Sequence, residues 1–139
     1  MMDSKVRFLF KPQLKNPVLI AGLPGVGQIG KLASDFLIQQ LSAKKFAEQL
    51  SPYFPHYATL DRSGMLRPTC HEFFYANHSR RDLIILTGEY PLTSCEGHYK
   101  VAIEILNAME KVGVKEIYTI GGYIPTSGRE KRGIVIMPN

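Results

Sequence analysis

The segment Val18–Leu41, VLIAGLPGVGQIGKLASDFLIQQL, carries the signals of a strand, a tight turn and a helix in succession. Val18–Ala21 is a continuous apolar run that ends at Gly22, a pattern typical of a buried parallel strand. From Val26 onward the apolar residues recur at helical spacing and share one stripe: Ile29, Leu32, Ala33, Phe36, Leu37 and Leu41. A strand that leads directly into a helix opens a β–α–β unit, so the segment predicts an α/β fold.

The glycines of the turn fit two phosphate-binding patterns at once. Gly25, Gly27 and Gly30 match the dinucleotide fingerprint G-x-G-x-x-G. The residues at 25, 30 and 31 also match G-x-x-x-x-G-K, most of a P-loop. A P-loop needs a hydroxyl directly after its lysine to bind magnesium, and Leu32 follows Lys31 instead. The sequence therefore does not predict a P-loop nucleotide hydrolase.

A dinucleotide site fits the strand–turn–helix context better, but two of its parts are misplaced. The acidic residue that holds the ribose should close the next strand, whereas Glu48 lies inside the predicted strand Lys44–Leu50. Pro24 also removes a backbone donor from the turn. We expect instead that the glycines let the chain turn sharply and pack closely on neighbouring backbone. The free N–H groups at the start of the helix would still favour an anion, such as a partner's carboxylate.

The rest of the chain alternates strand and helix signals, with one hairpin inserted. Further strands are predicted at Val6–Phe10 (an edge), Lys44–Leu50, Asp82–Thr87 and Lys115–Ile120 (both buried), and Ile134–Met137. His56–Leu60 and Met65–Ala76 flank the turn DRSG, which predicts an antiparallel hairpin with Gly64 in the turn.

A second helix is predicted to begin at the capping-box pattern of Thr93 and Glu96 and to run to about Val112, where Gly113 ends it. Its predicted inner stripe comprises Val101, Ala102, Ile105, Leu106, Met109 and Val112.

This order predicts a single α/β domain over residues 1–139, with a mixed sheet in three layers, flanking helices and an inserted hairpin. Three apolar strands end in glycine, and ligands of open α/β sheets bind beyond the carboxyl ends of the strands. The loops expected at one common edge are Gly22–Gly27, Gly88–Ser94 and Gly121–Ser127. The candidate ligand- or partner-binding residues are Gly22, Pro24, Gly25, Gly27, Thr87, Gly88, Glu89, Ser94, Glu96, His98, Gly121, Gly122 and Tyr123.

The segment TSCEGHY, Thr93–Tyr99, is the most chemically suggestive part of the sequence. His98 stands four residues after Ser94 and three after Cys95, so either pair could touch on a helix. A helix N-terminus can also lower a thiol pKa. Capping explains the same residues, however, so no catalytic residue is predicted. The alternative is an enzyme of phosphorylase-like or ligase-like type that binds a nucleotide or other small anion at the same edge, with Glu89, Glu96 and His98 as polar groups.

Composition narrows the class of protein. The chain has 139 residues, a net charge of +5, and 45% hydrophobic and 21% charged residues, as expected for a soluble globular protein. The positive residues are dispersed, so nucleic-acid binding is not predicted, and no apolar run could span a membrane. Two cysteines are too few for a disulfide framework, which favours the cytoplasm. A metal site of Cys70, His71, Cys95 and His98 is not predicted, because the neighbours Cys70 and His71 would point to opposite faces of a strand. No cofactor is predicted.

Four segments together resemble the proteasome assembly chaperone 2 family of archaea and bacteria. They are PVLIAGLPGVGQIGKLASDFLIQQL, FAEQLSPYFPHYATLDRSGMLRPTCHEFFYA, RDLIILTGEYPLTSCEGHY and VKEIYTIGGY, and they cover about Asn16 to Tyr123 in the family's order. The resemblance implies a fold similar to the purine nucleoside phosphorylase type, a homo-oligomer, and a non-catalytic role in protein–protein contacts, with proteasome α-subunits as partners.

The resemblance also implies a longer chain than this one. Family members continue past GGY with further strands and helices, and some end in a hydrophobic–tyrosine–any tail that binds proteasomes. This sequence closes IVIMPN, with Pro138 where the tail tyrosine would stand. We therefore expect a short or truncated form, for which the sequence does not predict tail-mediated docking.

Overall fold

The computed structural model describes residues 3–61, 63–125 and 133–137. Within these ranges lie a six-stranded sheet, a two-stranded sheet and two α-helices. The strands are β1 (Lys5–Phe8), β2 (Val18–Gly22), β3 (Lys44–Leu50), β4 (Ala58–Leu60), β5 (Leu66–Pro68), β6 (His71–Ala76), β7 (Leu83–Gly88) and β8 (Glu116–Ile120). The helices are α1 (Ile29–Gln40), which follows a 3-10 turn at Val26–Gln28, and α2 (Cys95–Lys111).

The main sheet is mixed, with the strand order β1-β3-β6-β7-β2-β8. The pairings β1–β3, β3–β6 and β6–β7 are antiparallel, and β7–β2 and β2–β8 are parallel. On β7, Thr87 donates a hydrogen bond to Asp35 of α1, whereas its neighbour Leu86 packs in the core with α2. Because neighbouring residues of a strand face opposite sides, the two helices cover opposite faces. The prediction of a mixed α/β sheet with flanking helices is confirmed.

The main core lies between the sheet and α2. Phe46 of β3 and Phe73 of β6 are fully buried, with their rings edge to face at 6.4 Å. Burial of each such side chain stabilises the fold by roughly 1.5–3 kcal/mol. The buried members of this cluster are Leu19, Phe46, Ala47, Phe73, Ile84, Leu86, Val101, Ile105, Ala108 and Met109.

The burial predicted for one strand is wrong, and another predicted strand does not form in the described residues. The strand at Lys115–Ile120 forms as β8, but it lies at the edge of the sheet and is largely exposed instead of buried. An apolar run alone does not reveal whether a strand has neighbours on both sides. Ile134–Met137 is exposed and belongs to no strand of the described part of the chain. The predicted strands at 18–21, 44–50 and 82–87 form within one residue of their expected bounds.

The helices differ from prediction in which residues they bury. In α1, the residues buried against the sheet are the small Gly30 and Ser34, whereas Ile29, Leu32 and Phe36 are exposed by 50%, 63% and 60%. The predicted apolar stripe is therefore not the packing face. In α2, Ala102 and Leu106 of the predicted inner stripe are exposed, and Ala108 is buried.

The inserted hairpin forms, but its second arm is divided. β4 and β5 pair antiparallel in their own small sheet. The strand is then interrupted at Thr69 and Cys70 before β6 enters the main sheet. The Asp61 carboxylate organises the turn by accepting hydrogen bonds from the Ser63 and Met65 amides at 2.9 and 3.0 Å. Hydrogen bonds from the Ser63 hydroxyl and from Met65 hold the pKa of Asp61 well below its usual range.

Candidate functional site

The carboxyl ends of three parallel neighbours, β7, β2 and β8, meet at one edge of the sheet. Gly22 lies in register with Ile120, and Ala21 with Leu86. The loops after the three strands therefore leave from a common edge, as the glycine endings predicted. Thr126 and Ser127 of the third loop lie outside the described residues.

The beginning of the glycine-rich turn is filled by polypeptide. A Cβ atom on Gly22 would overlap the carbonyl oxygen of Gly30 and the hydroxyl of Ser34. A Cβ atom on Gly30 would overlap the carbonyl oxygen of Ile120. The backbones of β2, α1 and β8 therefore approach one another more closely than any side chain allows. A diphosphate group cannot enter between them.

The rest of the turn is shaped by its backbone. Gly27 adopts φ +63°, a left-handed conformation that favours glycine. Gly122 lies so close to Val26 that a Cβ atom there would overlap the Val26 carbonyl oxygen, so the loop after β8 closes onto the turn. Gly25 and Gly121 face open space. Pro24 is half-buried, and Tyr123 is largely exposed.

An open groove of about 550 Å³ lies beside this turn, between α1, β6 and the end of β7. Of the predicted candidates, it contains Thr87, Gly88 and Glu89. The other lining residues are Lys31, Asp35, Ile38, Gln39, Glu72 and Phe74. The contribution of β6 was not predicted, because nothing in the order of the strands along the chain shows that β6 lies next to β7.

Carboxylates dominate the charge of the groove. Asp35 accepts hydrogen bonds from Lys31 Nζ at 2.6 Å and from Thr87 Oγ1 at 2.9 Å. Glu72 accepts one from Lys45 Nζ at 2.5 Å, and Glu89 is exposed. Three carboxylates and one ammonium group thus line the groove, and the ammonium group is already paired with Asp35. The groove favours a basic side chain over a phosphate.

Lys45 connects the groove to the sheet below it. Its ammonium lies between Glu72 and Glu48, at 2.5 and 3.0 Å. Burial works to lower the pKa of Lys45, but the hydrogen bonds to these two carboxylates outweigh burial and leave the pKa raised. Lys45 is therefore charged throughout the neutral range, and its hydrogen bond holds the Glu72 side chain in position at the groove.

The start of α2 is a helix cap. The Ser94 hydroxyl accepts a hydrogen bond from the Gly97 amide at 3.0 Å, so Ser94 is the N-cap and the predicted box of Thr93 and Glu96 is wrong. His98 Nδ1 donates to the Ser94 carbonyl oxygen at 2.7 Å, not to the hydroxyl. No serine–histidine dyad therefore forms.

Glu96 belongs to a separate surface cluster. It forms an ion pair with Lys100 at 2.7 Å and accepts a long hydrogen bond from the Tyr53 hydroxyl. The Lys100 hydrogen bond lowers the pKa of Glu96. Ser94, Glu96 and the exposed Cys95 and His98 do not line the groove, so the structure separates the α2 candidates from those on β7.

A buried polar network in the core was not predicted. The Gln49 amide nitrogen donates to the Val101 carbonyl oxygen at 3.0 Å and to the Ser4 hydroxyl at 3.2 Å. The Gln49 amide oxygen must therefore accept from His71 Nδ1, which lies 3.1 Å away. Burial, assisted by the charge of His98, lowers the pKa of His71 to about 4. The alternation in HEFFYA, which puts His71 on the face of Phe73, was the available signal.

The described residues contain neither a metal-binding cluster nor a membrane-spanning helix. Across residues 3–61, 63–125 and 133–137, no three His, Cys, Asp or Glu side chains lie close enough together to hold a metal ion. In the same ranges, neither helix has the length and apolar character needed to cross a bilayer.

Burial raises the pKa of the Cys70 thiol to about 11, so Cys70 is protonated at neutral pH.

The fold and the edge define a mixed α/β protein with a carboxylate-lined groove beside the carboxyl end of β7. Its sequence matches the model of the PAC2 family over residues 19–137. The chain belongs to the PAC2 family.

The chain is similar to one further protein sequence and to solved structures. It is 34% identical over 110 residues to the uncharacterized protein MJ1210 of Methanocaldococcus jannaschii, covering 79% of this chain. It is similar in structure to PbaB of Pyrococcus furiosus, an archaeal proteasome activator, with a TM-score of 0.84 and 37% identity over 96% of this chain. The Pyrococcus furiosus protein PbaA, an archaeal homolog of proteasome-assembly chaperone, shares the fold at a TM-score of 0.62, with 24% identity over 88% of this chain.

These relatives are longer than the present chain. The chain spans 42% of the length of MJ1210, 55% of PbaB and 52% of PbaA.

Proposed function

We propose that this chain is a proteasome-assembly or proteasome-activator protein that works as a homo-oligomer through protein–protein contacts and without catalysis. The observation that carries the proposal is the similarity to PbaB, an archaeal proteasome activator, at 37% identity over 96% of this chain. Identity at this level over nearly the whole chain supports a related partner as well as a related fold.

The geometry of the edge supports binding over chemistry. Ser94 and His98 are held in a helix cap, and Gly22 and Gly30 at the two ends of the glycine turn are packed against backbone, which favours a structural role for these residues. The groove that contains Thr87, Gly88 and Glu89 has the negative charge that attracts lysine or arginine side chains. We propose that a proteasome α-subunit places basic side chains in this groove.

Co-sedimentation with purified proteasome cores and with isolated α-subunits from the same organism tests the proposal. We expect the chain to sediment with one of these partners at low salt and less at high salt. Glu89→Lys should weaken this binding at least tenfold by reversing charge at the groove. Glu110→Lys, an exposed carboxylate on α2 outside the groove, is the matched control and should bind normally. No binding of the unmodified chain, or equal effects of the two variants, would contradict the proposal.

A ligand screen separates this proposal from the phosphorylase-like or ligase-like alternative. A ligand at a hundred times its dissociation constant adds about 2.7 kcal/mol to the free energy of unfolding. Thermal unfolding with phosphate, nucleosides and nucleotides is expected to show no such increase. A clear increase with one of these classes would favour the enzyme. The phosphorylase-type fold, the single domain and the cytoplasmic location stay predictions.

A further inference from the structure

The His71 imidazole fills the space beside Gly88 at the carboxyl end of β7. His71 lies on the central strand β6, in register with Gln49 of β3 on one side and with Gly88 on the other. A Cβ atom on Gly88 would lie 2.7 Å from His71 Cδ2 and 3.3 Å from Nε2, and Leu23 Cδ2 is 3.5 Å from the same point. The edge of the ring that carries Nε2 therefore meets backbone and an apolar side chain. These contacts are internal to the fold and do not depend on what covers its outer surface.

A proton taken up by this ring has one place to bind. Because His71 Nδ1 donates to the Gln49 amide oxygen, Nε2 of the neutral ring carries no proton. Protonation of Nε2 therefore places a positive charge beside Gly88 and Leu23, in a side chain that belongs to a residue only 2% exposed. Burial opposes such a charge until water reaches it.

The described charged groups on the elements around His71 do not pair with the ring. Glu48 of β3 and Glu72 of β6 lie on the opposite face of the sheet from His71. Both bind Lys45 there. In the described part of the chain, the charge of His98 on α2 is the one that acts on His71, and it also lowers the pKa. Further charged or titratable groups on these elements are exposed: Asp3, Lys5, His56, Glu89, Glu96 and Lys100.

Residues 51–57, which connect β3 to β4, are the most weakly held part of these surroundings. Phe54 is 3% exposed, and its ring packs edge to face on the His71 ring at 4.7 Å between centroids. The Tyr53 carbonyl oxygen accepts hydrogen bonds from the Thr93 amide and hydroxyl, at 3.1 and 2.9 Å, just before α2. By contrast, β3, β6 and β7 are each paired with a strand on both sides. Residues 51–57 therefore open at a lower free-energy cost than the strands do.

We infer that His71 is a pH-sensitive latch for residues 51–57. The neutral ring holds them closed through its contact with Phe54. When Nε2 takes up a proton, Phe54 moves off the ring and water reaches the charge. The hydrogen bonds between Tyr53 and Thr93 break in the same movement, while the strands of the main sheet stay paired. The latch is independent of the proposed proteasome partner.

Amide hydrogen exchange of the unmodified chain, measured by NMR at pH 7 and pH 5, tests this inference. The reporter is the Thr93 amide, whose hydrogen bond to Tyr53 breaks on opening. With a His71 pKa of 6.5 in the open state and about 4 in the closed state, opening becomes about twentyfold more favourable between pH 7 and pH 5. We expect the protection of Thr93, corrected for intrinsic exchange, to fall by that factor.

The turn of the β4–β5 hairpin provides an internal control. The Gly64 amide donates to the Asp61 carbonyl oxygen at 2.9 Å. The Asp61 carboxyl group has a pKa well below its usual range, so it does not titrate between pH 7 and pH 5. The protection of Gly64 should therefore change by less than about twofold.

Two histidine variants identify the titrating group. His71→Gln cannot take up the proton, so the pH dependence of the Thr93 amide should disappear. His56→Gln is the matched control, because it removes an exposed histidine from residues 51–57, and it should keep the change of about twentyfold. Circular dichroism checks that both variants are folded. If His71→Gln is not, the imidazole signals of the unmodified chain give the pKa of His71 directly, and a value near 6.5 would overturn the latch.

Other results would also contradict the latch. Equal pH dependence of Thr93 and Gly64, or an unchanged dependence in His71→Gln, would mean that opening does not involve the His71 ring. Loss of the dependence in His56→Gln would move the titrating group to the surface. Exchange of Thr93 no faster than that of the Ile85 amide in β7 would mean that the whole protein opens instead of residues 51–57.

Discussion

At the scale of single residues, the missing side chains of Gly22 and Gly30 decide how α1 meets the sheet. Each lies against a backbone carbonyl group that no Cβ atom could approach so closely. The glycine pattern thus looks like a phosphate loop because a phosphate loop and a close backbone contact need the same freedom from side chains. The sequence indicated both uses, and only the position of Gly30 relative to β8 separates them.

We expect Gly22→Ala to lower the free energy of unfolding by roughly 1–3 kcal/mol, because the added methyl group collides with backbone that cannot move freely. Gly25→Ala is the matched control, since Gly25 has extended backbone and no atom near its Cβ position, and it should change stability by less than about 0.5 kcal/mol. Urea unfolding of both variants measures the difference. Equal effects would mean that the Gly22 contact is not tight.

The buried His71 makes stability depend on pH. Its pKa falls from the ordinary 6.5 to about 4 in the folded protein, so between these values the unfolded chain binds more protons than the folded one. The contribution of His71 is complete above pH 6.5 and decreases as pH falls toward 4, by a total of roughly 3 kcal/mol. Chemical unfolding between pH 7 and pH 4 should show this loss in the unmodified chain and a shallower loss in His71→Gln. Parallel pH profiles of the two proteins would contradict the assignment.

At the scale of elements, α1 shows why a hydrophobic stripe can mislead. The predicted stripe would bury Ile29, Leu32 and Phe36, but the helix packs its small residues on the sheet and leaves the large ones outside. Close helix–sheet approach requires small residues, and spacing alone cannot distinguish a stripe that faces the sheet from one that faces another molecule.

The positions of the strands along the chain were more predictable than the order in which the strands pair in the sheet. The apolar runs that became β2 and β7 lie in the middle of the sheet, where burial on both faces leaves a continuous signal. β8 carries a similar run at an edge, and its position follows from contacts far along the chain that local sequence does not encode. The same limit explains why Glu89 was predicted at the site but its neighbour Glu72 was not.

The cap of α2 provides a test at this scale. Ser94→Ala should lower the free energy of unfolding by about 1 kcal/mol, because the Gly97 amide loses its acceptor at the helix start. Glu96→Gln should change stability by less than about 0.5 kcal/mol, because Glu96 pairs with exposed Lys100 and does not close a capping box. Thermal unfolding of both variants is the measurement. A larger loss of stability in Glu96→Gln than in Ser94→Ala would support the capping box of Thr93 and Glu96 and contradict the assignment of Ser94 as the N-cap.

At the scale of the whole molecule, the sheet joins two halves of different character. The antiparallel strands β1, β3 and β6 contribute Phe46 and Phe73 to the core beneath α2. The parallel strands β7, β2 and β8 carry α1 on the other face, and the groove lies beside the carboxyl end of β7. The aromatic core therefore fixes the position of the parallel half, and the groove lies at the margin of that half.

This arrangement predicts an uneven distribution of stability. β7 lies between two paired strands and its Ile84, Ile85 and Leu86 are fully buried, so its amides should exchange hydrogen only when the whole protein unfolds. The β4–β5 hairpin forms its own sheet of two exposed strands, and such a pair is marginally stable alone, so its amides should exchange through local opening at least a hundredfold faster. Hydrogen exchange followed by mass spectrometry of the corresponding peptides measures both rates in one sample. Equal protection of the two regions would mean that another surface covers the hairpin, because its internal hydrogen bonds cannot provide protection of that size.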